Sequence, residues 1–108
     1  MKTPEGYEKD DICKFLDKCS AWYFRPFMAG YGKSGISDII ACLPVTITQE
    51  MVGKRVGMFV SIEVKREGKG PTTLQEIRMK EIRKAWGFPF WGHAAKAIED
   101  IKTYFGLP

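Results

Sequence analysis

The sequence has no apolar run approaching the ~20 residues that a membrane-spanning helix needs. The segment behind Met1-Lys2-Thr3-Pro4-Glu5 also lacks the apolar stretch of a secretory signal, so a cytoplasmic protein with no membrane partner is expected. Histidine occurs once, at His93, too rarely for a His-rich metal site. Cysteine occurs three times, at Cys13, Cys19 and Cys42. An odd number without a Cys-x-x-Cys pair leaves neither a disulfide framework nor a zinc ribbon, and all three read as reduced, core or half-buried residues. Gly32-Lys33-Ser34 has the ending of a phosphate-binding loop, but Phe27 stands where its first glycine belongs and a strand follows, so no nucleotide cofactor is expected. There is no internal repeat, low-complexity tract or linker.

What remains is an ordinary globular composition. The 108 residues suit a single domain spanning 1–108, with 44% apolar and 28% charged side chains. The net charge of +4 is uneven: residues 61–108 carry nine basic and six acidic side chains, residues 1–60 eight and seven. That is compatible with a polyanionic partner and does not by itself identify one.

The spacing predicts an αβββαβα order. Thr3-Pro4-Glu5 starts a helix over about 5–20, with Thr3 as N-cap, Pro4 in the first turn and a stripe of Ile12, Phe15, Leu16 and Cys19. Strands are expected over 22–27, with Pro26 marking an edge or bulge, over 38–43, and over 58–65, the clearest of them. Glu67-Gly68-Lys69-Gly70-Pro71 breaks the chain. A capping box at Thr73-Leu74-Gln75-Glu76 opens a second helix to about Trp86, and Gly87 is its stop. A short strand at 88–92 and a helix with the stripe Ala94, Ala97, Ile98, Ile101 and Phe105 complete the chain. The fold class is α/β, with a mixed four-stranded sheet flanked by helices.

Candidate chemistry lies on the strand 58–65. Side chains alternate between faces, so Met58, Val60, Ile62 and Val64 share one and Phe59, Ser61, Glu63 and Lys65 the other. Taken alone, Glu63 and Lys65 read as a solvated strand face. Asp38, behind a glycine-rich loop at the start of another apolar strand, is a second carboxylate that converges with Glu63 if the two strands pair. Two carboxylates and a backbone carbonyl make a hard oxygen site for Mg²⁺ or Mn²⁺, beside which a lysine stabilises negative charge in a transition state. Gln75 falls on the apolar side of its helix with Ile82 and Trp86, either as a core amide or aimed at the carboxylates.

The set Gly35-Ile36-Ser37-Asp38-Ile39, Ile62-Glu63-Val64-Lys65, Gly70 and Gln75 resembles the VRR-NUC (virus-type replication-repair nuclease) branch of the PD-(D/E)XK nucleases, over about residues 32–86. Ser37 departs from the proline usual in that family, a change that removes no chemical group. The resemblance implies a restriction-endonuclease-like αβββαβ core with a C-terminal helix. It implies a metal held by Asp38, Glu63 and the Val64 carbonyl, water oriented by Lys65, and Gln75 supporting the water or the lysine. Glu8, early on the first helix, is the candidate further metal ligand, with a solvent-facing charge as the equal alternative. The activity implied is phosphodiester hydrolysis by a phage-type endonuclease acting on branched DNA such as four-way (Holliday) junctions, as a homodimer. A non-catalytic nucleic-acid-binding module with the same fold, and a nuclease of simple DNA ends or RNA, remain the alternatives.

Around this set, Arg66 and Lys69 are expected at DNA, and Lys33 at phosphate or solvent. Arg78, Lys80, Arg83 and Lys84 read as a solvated helix face balanced by Glu76 and Glu81. The aromatics Trp22, Tyr23, Phe24, Phe27, Phe88, Phe90 and Trp91 read as core or subunit contacts, with stacking on unpaired bases as the alternative, and His93 as a helix N-terminal residue.

Overall fold

The computed structural model describes residues 2–27 and 35–108. It is α/β, with three helices and two small sheets of two strands each: α1 (Pro4–Lys18), β1 (Trp22–Phe24), β2 (Ile40–Cys42), β3 (Val60–Val64), α2 (Thr73–Lys84), β4 (Phe88–Gly92) and α3 (Ala94–Phe105), with a short 3-10 turn at Gln49–Met51. The chain gathers into two compact units, Met1–Thr46 and Ile47–Pro108. The four-stranded sheet expected from sequence is shown only as one antiparallel and one parallel pair.

In the first unit, Thr3 caps α1 by accepting from the Gly6 amide at 3.0 Å, with Pro4 inside the first turn as its sequence position predicts. The buried side of α1 is Cys13 and Leu16; Ile12 and Phe15, expected on that stripe, are exposed. Two polar links tie α1 to β1 and the residue that follows it. The Arg25 guanidinium donates to Asp10 at 2.8 Å and to the Cys13 sulfur at 3.4 Å, and the Tyr23 hydroxyl donates to Asp17 at 2.9 Å. Lys2 and Arg25 hold the Asp10 carboxyl down to about 2, and the bond to Asp17 pushes Tyr23 up to about 12. The β1–β2 ladder runs from Trp22 opposite Cys42 to Phe24 opposite Ile40. It is shorter than either predicted strand, and Pro26, which lacks an amide donor, lies just beyond its end. Cys13 and Cys42 are buried and Cys19 is half-buried, and burial pushes the Cys42 thiol up.

The second unit is a β-α-β crossover followed by a helix. β3 and β4 are parallel, with Val60 opposite Phe88 and Val64 opposite Gly92. Register partners in a parallel ladder point to the same side, so Ser61 and Glu63 share a face with Pro89 and Trp91. Phe88 and Phe90 lie on the other face, against Tyr104 and Phe105 of α3, with ring centroids 5.1 to 6.1 Å apart. The apolar positions of β3 are the more open ones: Ile62 is 49% and Val64 75% exposed, whereas Ser61, Glu63 and Lys65 are half-buried. The aromatic contacts of α3 are made to β4, which leaves the β3 half of that face open. The α3 stripe is divided for the same reason: Ala97 is buried, while Ile98 is 52% exposed.

All three helices end in the same motif. Past the end of each helix an amide donates to the carbonyl five residues earlier: Ala21 to Leu16 at 3.1 Å, Gly87 to Ile82 at 2.9 Å and Leu107 to Lys102 at 2.9 Å. The residue just before that donor is left-handed in each case: Ser20 at φ 59°, Trp86 at 67° and Gly106 at 65°. The sequence places Gly87 at the stop of α2, but the left-handed position falls one residue earlier, on Trp86, whose ring is 78% exposed and off the apolar side predicted for it. A left-handed backbone costs a residue with a Cβ about 1 kcal/mol relative to glycine. Trp86→Gly is therefore expected to raise the melting temperature by a few degrees while Trp86→Ala does not, as read by thermal unfolding followed by circular dichroism.

Candidate functional site

Each unit carries part of the residue set singled out in the sequence. In the first, Glu5, Glu8, Lys9 and Ile12 stand at i, i+3, i+4 and i+7 on α1, the spacing that aligns side chains on one helix face. Together with Asp38 and Ile39 they line an open cavity of about 530 Å³. Asp38 sits in a bend two residues before β2 and so lies outside the strand it is expected to open. Gly35, at φ 82°, takes a left-handed turn on the approach to it. The Asp38 side chain is 71% exposed, and Lys9 Nζ lies 3.7 Å from its Oδ1. An exposed pair at that distance contributes little stability and yields readily to a stronger cation. Glu8 thus shares a cavity with Asp38, as do Glu5 and Lys9, which sequence reading passed over although their spacing from Glu8 and Ile12 marks the same face.

In the second unit the β3-α2 connection brings Gln75 to Glu63. The box that starts α2 uses Thr72, not Thr73: Thr72 Oγ1 accepts from the Gln75 amide at 3.2 Å, and Gln75 Oε1 accepts from the Thr72 amide at 2.8 Å. The frame shifts by one because glutamine serves at the third helical position as well as glutamate. With its oxygen held by the cap, the Gln75 side chain donates through Nε2 to Glu63 Oε1. Gln75, Met79 and Ile82 follow one another along the inward side of α2, Met79 and Ile82 both buried.

Lys65 extends the half-buried row of Ser61 and Glu63 one residue beyond β3, and its amide donates to the Gly92 carbonyl at 3.0 Å. Val64 closes β3. Arg66 and Lys69 are exposed in the turn that follows, where the Lys69 amide donates to the Arg66 carbonyl at 3.1 Å and Gly68 adopts φ 85°. Among the described residues no carboxylate pairs with Lys65, Arg66 or Lys69. Lys33 lies outside the described residues.

The donors suit a hard divalent ion in kind. Asp38 and Glu8 offer exposed carboxylate oxygens, and Glu63 keeps Oε2 outside its bond to Gln75. No three His, Cys, Asp or Glu side chains are grouped to hold a metal among the described residues. Magnesium takes one or two carboxylates and completes its shell with water, so such a group is not a requirement for it.

No family model matches the chain, and comparison with curated proteins and with solved structures gives no match.

The Gln75 link has a measurable consequence. Gln75→Ala removes half of the capping box and the donor to a half-buried carboxylate, and is expected to cost about 1 kcal/mol in chemical denaturation. Gln75→Glu preserves the capping acceptor but sets a second carboxylate against Glu63, so its deficit should exceed that of Gln75→Ala near neutral pH and shrink on acidification.

Proposed function

We propose that this chain is a Mg²⁺- or Mn²⁺-dependent endodeoxyribonuclease of the VRR-NUC type, in which Asp38, Glu63 and the Val64 carbonyl hold the ion. The observation that carries the reading is the bond from Gln75 to Glu63. A glutamine on the inward side of a capped helix spends its amide on fixing one strand carboxylate, next to a lysine that lacks a carboxylate partner among the described residues. Such an arrangement suits a carboxylate that must be held in one orientation while its second oxygen stays available. In this reading the two strand pairs belong to one mixed four-stranded sheet, and Glu8 adds a carboxylate from α1.

A bound divalent ion supplies Lewis-acid stabilisation of the scissile phosphate and lowers the pKa of the attacking water. Asp38 and Glu63 would hold that ion, whose charge would offset their own repulsion of the phosphate. Lys65 orients the attacking water and places positive charge where the pentacovalent transition state accumulates negative charge. Gln75 keeps Glu63 from rotating away. Attack of water on phosphorus breaks one phosphorus–oxygen ester bond, leaving a phosphomonoester and a hydroxyl. Arg66 and Lys69, exposed next to the strand end, hold backbone phosphates without reading bases. The substrate proposed is branched DNA such as a four-way junction, cut by a homodimer whose two sites address two strands.

Nicking of a supercoiled plasmid and of a four-way junction tests this. The protein is expected to cut both with Mg²⁺ or Mn²⁺ and neither in chelator. Lys65→Ala should lower the rate by about a hundredfold or more with unchanged thermal unfolding. Cutting by Lys65→Ala at the wild-type rate would refute the assignment. DNA binding without cutting in either metal, undiminished in Asp38→Ala, would establish a non-catalytic binding module instead.

A further inference from the structure

On the second unit an open cleft of about 370 Å³ lies between the end of α2, β4 and α3. Its size suits one small-molecule group or one nucleotide. Tyr104 forms one side, 64% exposed yet braced by ring contacts to Phe88, Phe90 and Phe105 at centroid distances of 5.4, 6.1 and 5.0 Å. Another part of the lining is built from Trp91 and Lys96. Lys96 Nζ lies 3.8 Å from the Trp91 ring centre, donates to the Trp91 carbonyl at 3.0 Å and pairs with Asp100 at 2.8 Å. Gly92 makes this possible: a Cβ there would fall 2.9 Å from the Lys96 side chain. The charge of Lys96 is therefore matched within the cleft by Asp100. Arg83, at the end of α2, also lines it, and among the described residues no carboxylate pairs with Arg83.

We propose that this cleft binds one nucleotide of an unpaired DNA strand, its base stacked on Tyr104 and its phosphodiester on Arg83. Three features select that occupant. The exposed ring is held rigid, so stacking on it costs little ordering. The lining carries two cations and one carboxylate, a net charge of +1 that balances one phosphodiester and not the dianion of a free nucleotide. The cleft is open, so a strand can enter and leave it. Base stacking on an aromatic ring is indifferent to sequence, which fits a protein that recognises unpairing. The choice of DNA rests on the proposed nuclease reading; the chemistry of the cleft does not.

The test is binding in chelator, where no cutting occurs, of fluorescein-labelled oligothymidylate of eight nucleotides, of a duplex of equal length, and of heparin as competitor. The oligothymidylate is expected to bind more tightly than the duplex. Tyr104→Ala should weaken it at least about fivefold and Tyr104→Phe should not. Arg83→Gln, at an exposed position, should weaken it and reduce the salt dependence by about one phosphate contact. In a Trp22→Phe/Trp86→Phe background the single remaining tryptophan, Trp91, should change its emission on saturation. If Tyr104→Ala retains its fold by circular dichroism and binds as the wild type does, the proposal is overturned. An unchanged salt slope in Arg83→Gln, or equal binding of duplex and single strand displaced alike by heparin, also overturns it. The assay holds no divalent ion and reads binding alone, so its outcome does not depend on whether the protein cuts DNA, and failure of the nuclease reading and failure of the cleft are told apart.

Discussion

Glu63 is fixed from the helix that follows it, and the candidate site of the second unit is arranged around that contact. A carboxylate at the end of a two-stranded parallel ladder has few neighbours of its own. The turn at Arg66–Lys69 and the capping box at Thr72–Gln75 bring α2 back over the strand, and the side chain that completes the cap also reaches the carboxylate. One glutamine thus serves a backbone amide through its oxygen and Glu63 through its nitrogen. Helix start and strand end are joined by a polar contact that neither an ionised glutamate nor an apolar residue at position 75 reproduces, since the amide offers an acceptor and a donor on separate atoms.

The same economy recurs elsewhere. The row Glu5, Glu8, Lys9 and Ile12 faces the Asp38 bend because α1 is tied to β1 by Arg25 and Tyr23, and β1 is laddered to the strand that Asp38 precedes. Around β4, Gly92 admits the Lys96 stem, and Lys96 in turn caps the Trp91 ring. In each case a short element with little buried area of its own is oriented by a long polar side chain. A chain of this size has a limited apolar core, so such polar links carry more of the positioning.

The helices were legible in the sequence because their signals are local. Thr3-Pro4 starts α1, His93 stands at the N-cap of α3, and the pattern around Gln75 announces α2 within one residue. The strands were legible as positions but not in their pairing or extent. Pro26 and the bend at Asp38 leave only three residues to each of β1 and β2. Alternation along β3 correctly separated Glu63 and Lys65 from Ile62 and Val64. It could not tell which face a helix covers, because that depends on where α2 and α3 dock. Trp86 shows the same gap: periodicity assigns it to the apolar side, but helix termination one residue earlier turns it outward. The tyrosine-and-arginine cleft was not legible at all, since Arg83 and Tyr104 lie 21 residues apart on different helices. Of the candidate site, the residue types and the reach of Gln75 toward a carboxylate followed from spacing. The company of Lys9 at Asp38 did not.

The central claim is that Asp38 and Glu63 share a single divalent ion, and a double-mutant cycle on Mn²⁺ binding measures it most directly. Calorimetric titration of Mn²⁺ into the wild type, Asp38→Asn, Glu63→Gln and the double variant reads the coupling between the two carboxylates. The account predicts tight binding in the wild type and a loss in either single variant nearly as large as in the double. Independent, additive losses, or no specific Mn²⁺ binding by the wild type, would contradict it.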